Sequence, residues 1–367
     1  MKKLVFTACL IGLMGGGISC QHDKVPSQKA EEGLVLSDGL SDDLTFADSA
    51  VCSEDWHIWG SSPIRGPDGR VHLFVARWPR EADHAPGWFM ESQIARYVGS
   101  GPEGPFRFAE VVLAGSGGDA WDSNSVHNPT IHKVDGQYAL FFIGNDGGKD
   151  KGFPANQKIG LAVADALDGP WKRIGGDGLV LAPPEDSTIW SHDSPVGVNN
   201  PAFLKKDGRY FLYYKARRRG EGPAREMGLA IANELDGPYR FQQEPVTPND
   251  QMIEDGYAFK SSDRVYMLTT DNYGTWREGG GLLWPSEKGI RFGEPRPGYY
   301  RLGHYLSGGL PERYVTVAGR QRSGTLERPQ VLMRGGQPTY VYFASGTNIY
   351  GDPVSCSYVM SVEGKAP

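Results

Sequence analysis

One stretch of this chain is written twice, and the repetition restricts the fold more than any other feature. Residues 121–142 run Trp121-Asp122-Ser-Asn-Ser-Val-His127-Asn128-Pro129, then six residues, Gly136 and the apolar run Tyr138–Phe142. Residues 199–214 repeat the scheme as Asn199-Asn200-Pro201, six residues, Gly208 and Tyr210–Tyr214. The Asp-Gly step between apolar runs is a hairpin signal. Each copy continues into a Gly-Leu-Ala segment, Ile159–Asp165 or Met227–Asn233, and closes on Leu-Asp-Gly-Pro followed by Trp171 or Tyr239.

Fainter copies flank these two. Ser62-Pro63-Ile64 leads to Asp68-Gly69, Val71–Val75 and Glu103-Gly-Pro-Phe106. Asp255-Gly256-Tyr257 leads to Arg264–Leu268 and Gly281–Ser286, and Glu327-Arg328-Pro329 leads to Thr339–Phe343. Taking Pro63, Pro129, Pro201, Gly256 and Pro329 as equivalent, the spacings are 66, 72, 55 and 73 residues. Five units of that length, each of about four short strands, predict an all-β fold, a five-bladed β-propeller. A β-sandwich would not repeat one signature at this period, and no long stretch of 3.6-residue periodicity competes. The last unit ends near Ser355–Ser361, one strand short. Residues near Thr45–Cys52 are expected to supply that strand and close the ring.

Glycine (50 residues), proline (26) and 11% aromatic residues suit many strands joined by tight turns. The net charge of −6 and the absence of long basic runs argue against nucleic acid as a partner. Residues 1–20 read as an export signal: Lys2 and Lys3, an apolar run from Leu4 to Met14 too short to span a bilayer, then Gly17-Ile18-Ser19-Cys20. The last step resembles a bacterial lipoprotein signal, with Cys20 as the lipidated residue; simple secretion is the alternative. Residues 21–45 are polar and acidic and read as a flexible tether, leaving 46–367 for the propeller. With Cys9 and Cys20 set aside, only Cys52 and Cys356 remain, at opposite ends of the globular part. A ring brings those ends together, so a disulfide is expected; two unpaired buried cysteines are the alternative.

In a propeller the first strand of every blade lines the central channel, and its start opens on one shared face. Ser62, Asn128, Asn200, Asp255 and Arg328 therefore converge, with His127, Asn199, Glu254 and Glu327 beside them. Glu254 and Asp255 are the leading acid candidates, one expected to face the channel and one the wall; a purely structural pair is the plainer reading. Asp122 and Asp55 are further acid candidates, although Asp122 recurs as Trp-Asp beside Asn-Pro and so also reads as a turn cap. His57, Trp59, Trp78 and Asp193 are placed near substrate, since tryptophan faces stack on sugar rings and paired carboxylates supply acid and base. Arg77, Lys215, Arg217 and Arg328 would suit an anionic sugar, with Glu327 orienting Arg328. No zinc or calcium loop, phosphate loop or serine elbow is present. No cofactor is required, and one structural cation in the channel is left open.

The blade pattern Asn-Pro…Asp-Gly-x-Tyr, the Glu254-Asp255-Gly256 step and Glu327-Arg328-Pro329 resemble the propellers of glycoside hydrolase families 43 and 117 across roughly residues 50–360. The resemblance implies hydrolysis of a glycosidic bond by acidic groups at the channel mouth, exo-acting or debranching and often inverting. Family 43 carries Asp-Pro in its first two blades, where this chain has Ser62-Pro63 and Asn128-Pro129. Those two aspartates are thus not carried over, and Glu254 is the matching acid. Family 117 assigns its proton donor to a histidine, which points to His304 here.

The expected function is a glycoside hydrolase acting on a poly- or oligosaccharide, exo-acting and inverting, on a uronate, sulfated or anhydro sugar. A glycan-binding surface lipoprotein and a polysaccharide lyase are the alternatives. Polar residues that differ from blade to blade favour one asymmetric site over a binding module with a site in each blade.

Overall fold

The computed structural model describes residue 36 and residues 38–363, apart from 221, 223, 273, 277, 278, 306–314, 318, 319, 323 and 346–354. The export signal, Cys20 and most of the tether lie outside the described residues.

Strand β1 (Leu44–Val51) comes first in the chain and is followed by the strands of five blades. Blade one holds β2 (Trp56–Arg65), β3 (Val71–Pro79), β4 (Gln93–Gly99) and β5 (Phe106–Leu113). Blade two holds β6 (Ser125–Val134), β7 (Gln137–Asn145) and β8 (Lys158–Ala164), with β9 (Lys172–Arg173) and β10 (Leu179–Leu181) sharing its outer edge. Blade three is β11 (Asn199–Lys206), β12 (Arg209–Ala216), β13 (Glu226–Ala232) and β14 (Arg240–Phe241). Blade four is β15 (Ile253–Ser261), β16 (Arg264–Asp271), β17 (Gly280–Ser286) and β18 (Arg296–Tyr299). A short hairpin, β19 (Val315–Val317) and β20 (Arg320–Arg322), precedes blade five. That blade is β21 (Glu327–Arg334), β22 (Gln337–Ser345), β23 (Cys356–Val362) and, outermost, β1. The innermost strands touch in a closed circle, β2 to β6, β11, β15, β21 and back to β2.

The hairpins follow from their turn residues. Asp135-Gly136, Asp207-Gly208 and Gly335-Gly336 all have positive φ, the conformation that two-residue turns need to match strand twist. The repeated Gly-Pro steps at 104–105, 169–170 and 237–238 are cis in all three blades.

The apolar core is divided among the five gaps between blades. Phe141 and Leu161 of blade two meet Phe203 and Leu212 of blade three, while Leu140 and Phe142 turn the other way, onto Phe74 and Ile94 of blade one. Alternate residues of one strand thus serve two neighbours, which is why these strands are buried along nearly their whole length. Leu36, Leu40 and Leu44 are buried against blades four and five.

β1 closes the ring as the sequence predicts, pairing antiparallel with β23. Cys52 and Cys356 are disulfide-bonded across that closure, with Cα atoms 4.7 Å apart and 304 residues between them. Constraining so long a loop in the unfolded chain contributes about 5 kcal/mol on a chain-entropy basis. Reduction, or Cys52→Ser, is expected to lower Tm by about 7 °C. A melting curve unchanged by reductant would show that the pairing of β1 with β23 closes the ring by itself.

Candidate active site

Every innermost strand carries the same irregularity. Pairing shifts register between Trp59 and Ser62, His127 and Thr130, Asn199 and Ala202, Glu254 and Tyr257, and Glu327 and Gln330. Within each shift sits one left-handed residue, namely Gly60, Asn128, Asn200, Asp255 or Arg328, with φ between 48° and 63°. These are β-bulges, and a bulge turns two consecutive side chains toward the same side. The expectation that Glu254 and Asp255 would face opposite ways is corrected for that reason: both line one cavity. Blade one also shifts register relative to the sequence reading. Its equivalent of Asn128-Pro129 is Gly60-Ser61, two residues before Ser62-Pro63, and Ser62 instead accepts a hydrogen bond from the Ile131 amide at 3.0 Å.

The result is two stacked pentads on the channel axis. The outer one is Trp59, His127, Asn199, Glu254 and Glu327, and all five line a cavity of 430 Å³. The inner one is the left-handed set. Arg328, fully buried, crosses the axis to donate to the Asn128 carbonyl at 2.9 Å and lies 3.8 Å from Asp255. A Cβ at Gly60 would sit 2.9 Å from Arg328 Cγ, so glycine is what lets the guanidinium through. Asp255 is held by the Asn200 amide and, at 3.3 Å, by the Thr270 hydroxyl. Arg328 and Asp255 thus form the floor. Among the described residues no three His, Cys, Asp or Glu side chains are grouped to hold a metal.

The walls come from the loops between the second and third strands of blades one to four, and from the ends of their second strands. Helix α1 (His84–Met90), between β3 and β4, brings His84 and Trp88; the loop after β7 brings Phe153 and Gln157; Arg225 and Asn272 follow β12 and β16. Trp78 and Lys215, at the ends of the second strands, also line the cavity, as expected of residues near substrate. Alternation carries the neighbouring Arg77 the other way, where its guanidinium is sandwiched between Trp56 and Phe108 at 4.1 and 4.2 Å.

Glu254 is the best-held acid. Lys215 Nζ lies 2.9 Å from its Oε2, and Arg225 pairs with its Oε1. Two cations on two oxygens favour the carboxylate over the neutral acid. Burial holds the Lys215 amine well below the usual lysine value, with Arg225 pushing the same way and Asp255 opposing. Glu327 Oε1 accepts from the Thr325 hydroxyl at 3.1 Å. On the aromatic side, burial pushes the imidazoles of His84 and His127 down to about 3.

Several sequence candidates lie elsewhere. Asp55 is exposed beyond the start of β2. Asp122 is fully buried against Arg173 at 2.8 Å, near the outer edge of blade two, the structural role that its repetition suggested. His304 is exposed on the short helix α2 (Leu302–Tyr305), 4.0 Å from the Tyr300 ring. Asp193 pairs with Arg219 and, at 3.8 Å, with Lys151. Arg217 donates to the Gly222 carbonyl and is not among the lining residues. His57 is buried behind Trp78, its ring stacked at 5.3 Å. Glu254, Asp255, Glu327, Trp59, Trp78, His127, Asn128, Asn200 and Lys215 are brought together. His84, Trp88, Phe153 and Arg225 were missed; the length of the connections that follow each blade's second strand was the available signal.

No family model matches the chain. Extracellular endo-alpha-(1->5)-L-arabinanase 2 of Bacillus subtilis (strain 168) is 27% identical over 116 residues, 32% of this chain and 23% of that protein, so the match spans under a quarter of the relative's length. A family 117 glycoside hydrolase from the marine bacterium Zobellia galactanivorans has a TM-score of 0.63 at 17% identity, covering 90% of this chain and 94% of that one. An endo-arabinase from Bacteroides thetaiotaomicron gives 0.55 at 11%, covering 88% and 98%. At these identities the likeness is one of fold, the five-bladed propeller that the sequence resemblance implied.

Proposed function

We propose that the chain is a glycoside hydrolase that works at this cavity, with Glu254 and Glu327 as its two carboxyl groups. The observation that carries the reading is the outer pentad, which places two glutamates from adjacent blades in one aromatic-walled cavity. Glu254, held ionised by Lys215 and Arg225, takes a proton from water as the water oxygen bonds to the anomeric carbon. The bond to the leaving oxygen breaks as Glu327 gives that oxygen its proton. An inverting outcome requires the two carboxyl groups to stand about 6.5–9.5 Å apart, with the attacking water between one of them and the sugar. The cavity lies at the small end of the usual range for ligand sites, about 300–1,000 Å³, which suits a chain-terminal sugar and exo action. Lys215 and Arg225 are both engaged by Glu254, which favours an uncharged sugar over the uronate or sulfated one considered above. The disulfide supports export, as does the extracellular location of the arabinanase relative; lipidation at Cys20 belongs to the same proposal.

A second reading, a glycan-binding protein without turnover, has one observation in its favour: Gly60, Asn128 and Asn200 put no carboxyl in the inner pentad of blades one to three. The deciding experiment incubates the protein with aryl glycosides and oligosaccharides of neutral and acidic sugars. It follows release of product, and of its anomer by NMR. Turnover of a neutral glycoside is expected, with the inverted anomer formed first. Binding of sugars without any turnover would establish the second reading.

A further inference from the structure

The proton transfers above leave one wall of the cavity without a task. Trp59, Trp78, His84, Trp88 and His127 all come from blades one and two, whereas Lys215, Arg225, Glu254 and Glu327 come from blades three to five. The aromatic wall holds polar atoms that the protein does not satisfy. Nδ1 of His84 and Nε1 of Trp78 are buried and have no hydrogen-bond partner among the described residues, and the two buried ring nitrogens of His127 have only the Gln157 side chain near enough to engage one of them. Buried polar groups in folded proteins are nearly always paired, so unfilled positions on one face of a cavity mark where a ligand's hydrogen bonds go. Trp88 is fixed beside them. Its ring lies edge-on to His127 at 5.0 Å and to Phe153 at 5.2 Å, and Phe153 stacks on Phe89 at 3.9 Å.

We propose, on the basis of the glycosidase reading of this cavity, that His127 and His84 recognise the hydroxyl groups of an uncharged sugar whose C–H face rests on the Trp88 indole. A neutral imidazole offers one N–H and one lone pair, and a hydroxyl group both gives and accepts. A carboxylate or sulfate only accepts, so it would leave each ring's lone pair facing an anion. Burial keeps both rings neutral, and for His127 the charges of Arg328 and Lys215 push the same way. An indole packed between His127 and Phe153 presents a rigid apolar surface that loses little freedom when a sugar covers it.

The test reads binding, so it does not depend on turnover. Calorimetric titration of the whole protein with methyl glycosides of neutral pentoses and hexoses, with methyl glucuronide and methyl galacturonide, and with a sulfated galactoside compares the classes. At least one neutral glycoside is expected to bind, at least tenfold more tightly than any of the anionic ligands. His127→Phe keeps the ring and removes both nitrogens, and should weaken that binding at least tenfold; Trp88→Ala should do the same. His127→Gln, which restores a donor and an acceptor, should recover part of the loss, which a purely structural role would not produce. Circular dichroism verifies that each variant is folded. Tighter binding of an anionic sugar, no binding of any neutral glycoside, or His127→Phe within twofold of the unaltered protein overturns the proposal. If neutral sugars bind through His127 but none is hydrolysed, the glycosidase reading falls and this one stands.

Discussion

Replacing Glu254 with glutamine is expected to lower kcat by about three orders of magnitude, equivalent to ~4 kcal/mol of transition-state stabilisation. The amide keeps the shape but can neither accept a proton from water nor carry the charge that Lys215 and Arg225 are set to balance. Both cations then lose their partner in a largely buried place, so Tm is expected to fall as well. Glu327→Gln separates the two roles. A lost proton donor matters little when the leaving group is already acidic, so this variant should retain much of its activity on nitrophenyl glycosides and lose it on alkyl ones. Glu254 variants should fail on both, and azide should restore turnover to Glu254→Ala by standing in for the activated water. Comparable kcat in Glu254→Gln and the unaltered protein on an alkyl glycoside would remove Glu254 from the mechanism.

The second large effect is on stability below neutral pH. His84 and His127 titrate at about 3 in the folded protein, because both are buried, against about 6.5 when unfolded. A depressed histidine value means that the unfolded chain binds the proton first. Stability is therefore whole above pH 6.5 and declines as pH falls toward 3, by about 1.4 kcal/mol per pH unit for each ring. Between pH 6.5 and 5 the two together cost about 4 kcal/mol, a large part of an ordinary stability of about 5–15 kcal/mol. Buried His132, pushed down to about 4, and buried His57 and His72 add to the loss in the same direction, so the measured slope is that of all the buried histidines. Ordinary carboxylates scarcely titrate in that window, so urea unfolding at pH 7, 6 and 5 isolates the effect. His127→Phe should flatten the slope by one ring's share. A denaturation midpoint that stays constant from pH 7 to 5 would show that the rings reach solvent when charged.

Much of the fold is legible because its local chemistry is repeated. Asp-Gly at 135–136 and 207–208 sets two hairpins with no help from the rest of the chain, and the missing outer strand of blade five follows from counting. Blade one is misread by two residues because Gly60 lacks the Asn-Pro signature, while Ser62-Pro63 offers a counterfeit of it. Glycine is required there by Arg328, a residue 268 positions away in sequence, and no local pattern shows such a demand. The site divides in the same way. His127, Glu254 and Glu327 are found because they stand at one place in a repeat. His84, Trp88 and Arg225 sit in connections that no other blade copies, so only the closed ring shows that they share a cavity. Asp122 and His304 fail for different reasons: one repeats because its turn needs an ion pair, and the other was chosen by resemblance and lies exposed on a separate helix.

The closure strand also fixes how the molecule responds to force. A pull on the chain ahead of residue 36 first loads the packing of Leu36 and Leu40 on blades four and five, and then passes into β1, whose Leu44 end lies beside Val362 of β23. In that antiparallel pair the load falls on all the ladder hydrogen bonds at once, in shear, rather than opening them one by one. At the far end of β1 the Cys52–Cys356 bond takes what the ladder does not. Force that reaches residue 44 is thus met at the outer rim of blade five, while the cavity, built from the innermost strands, stays unloaded.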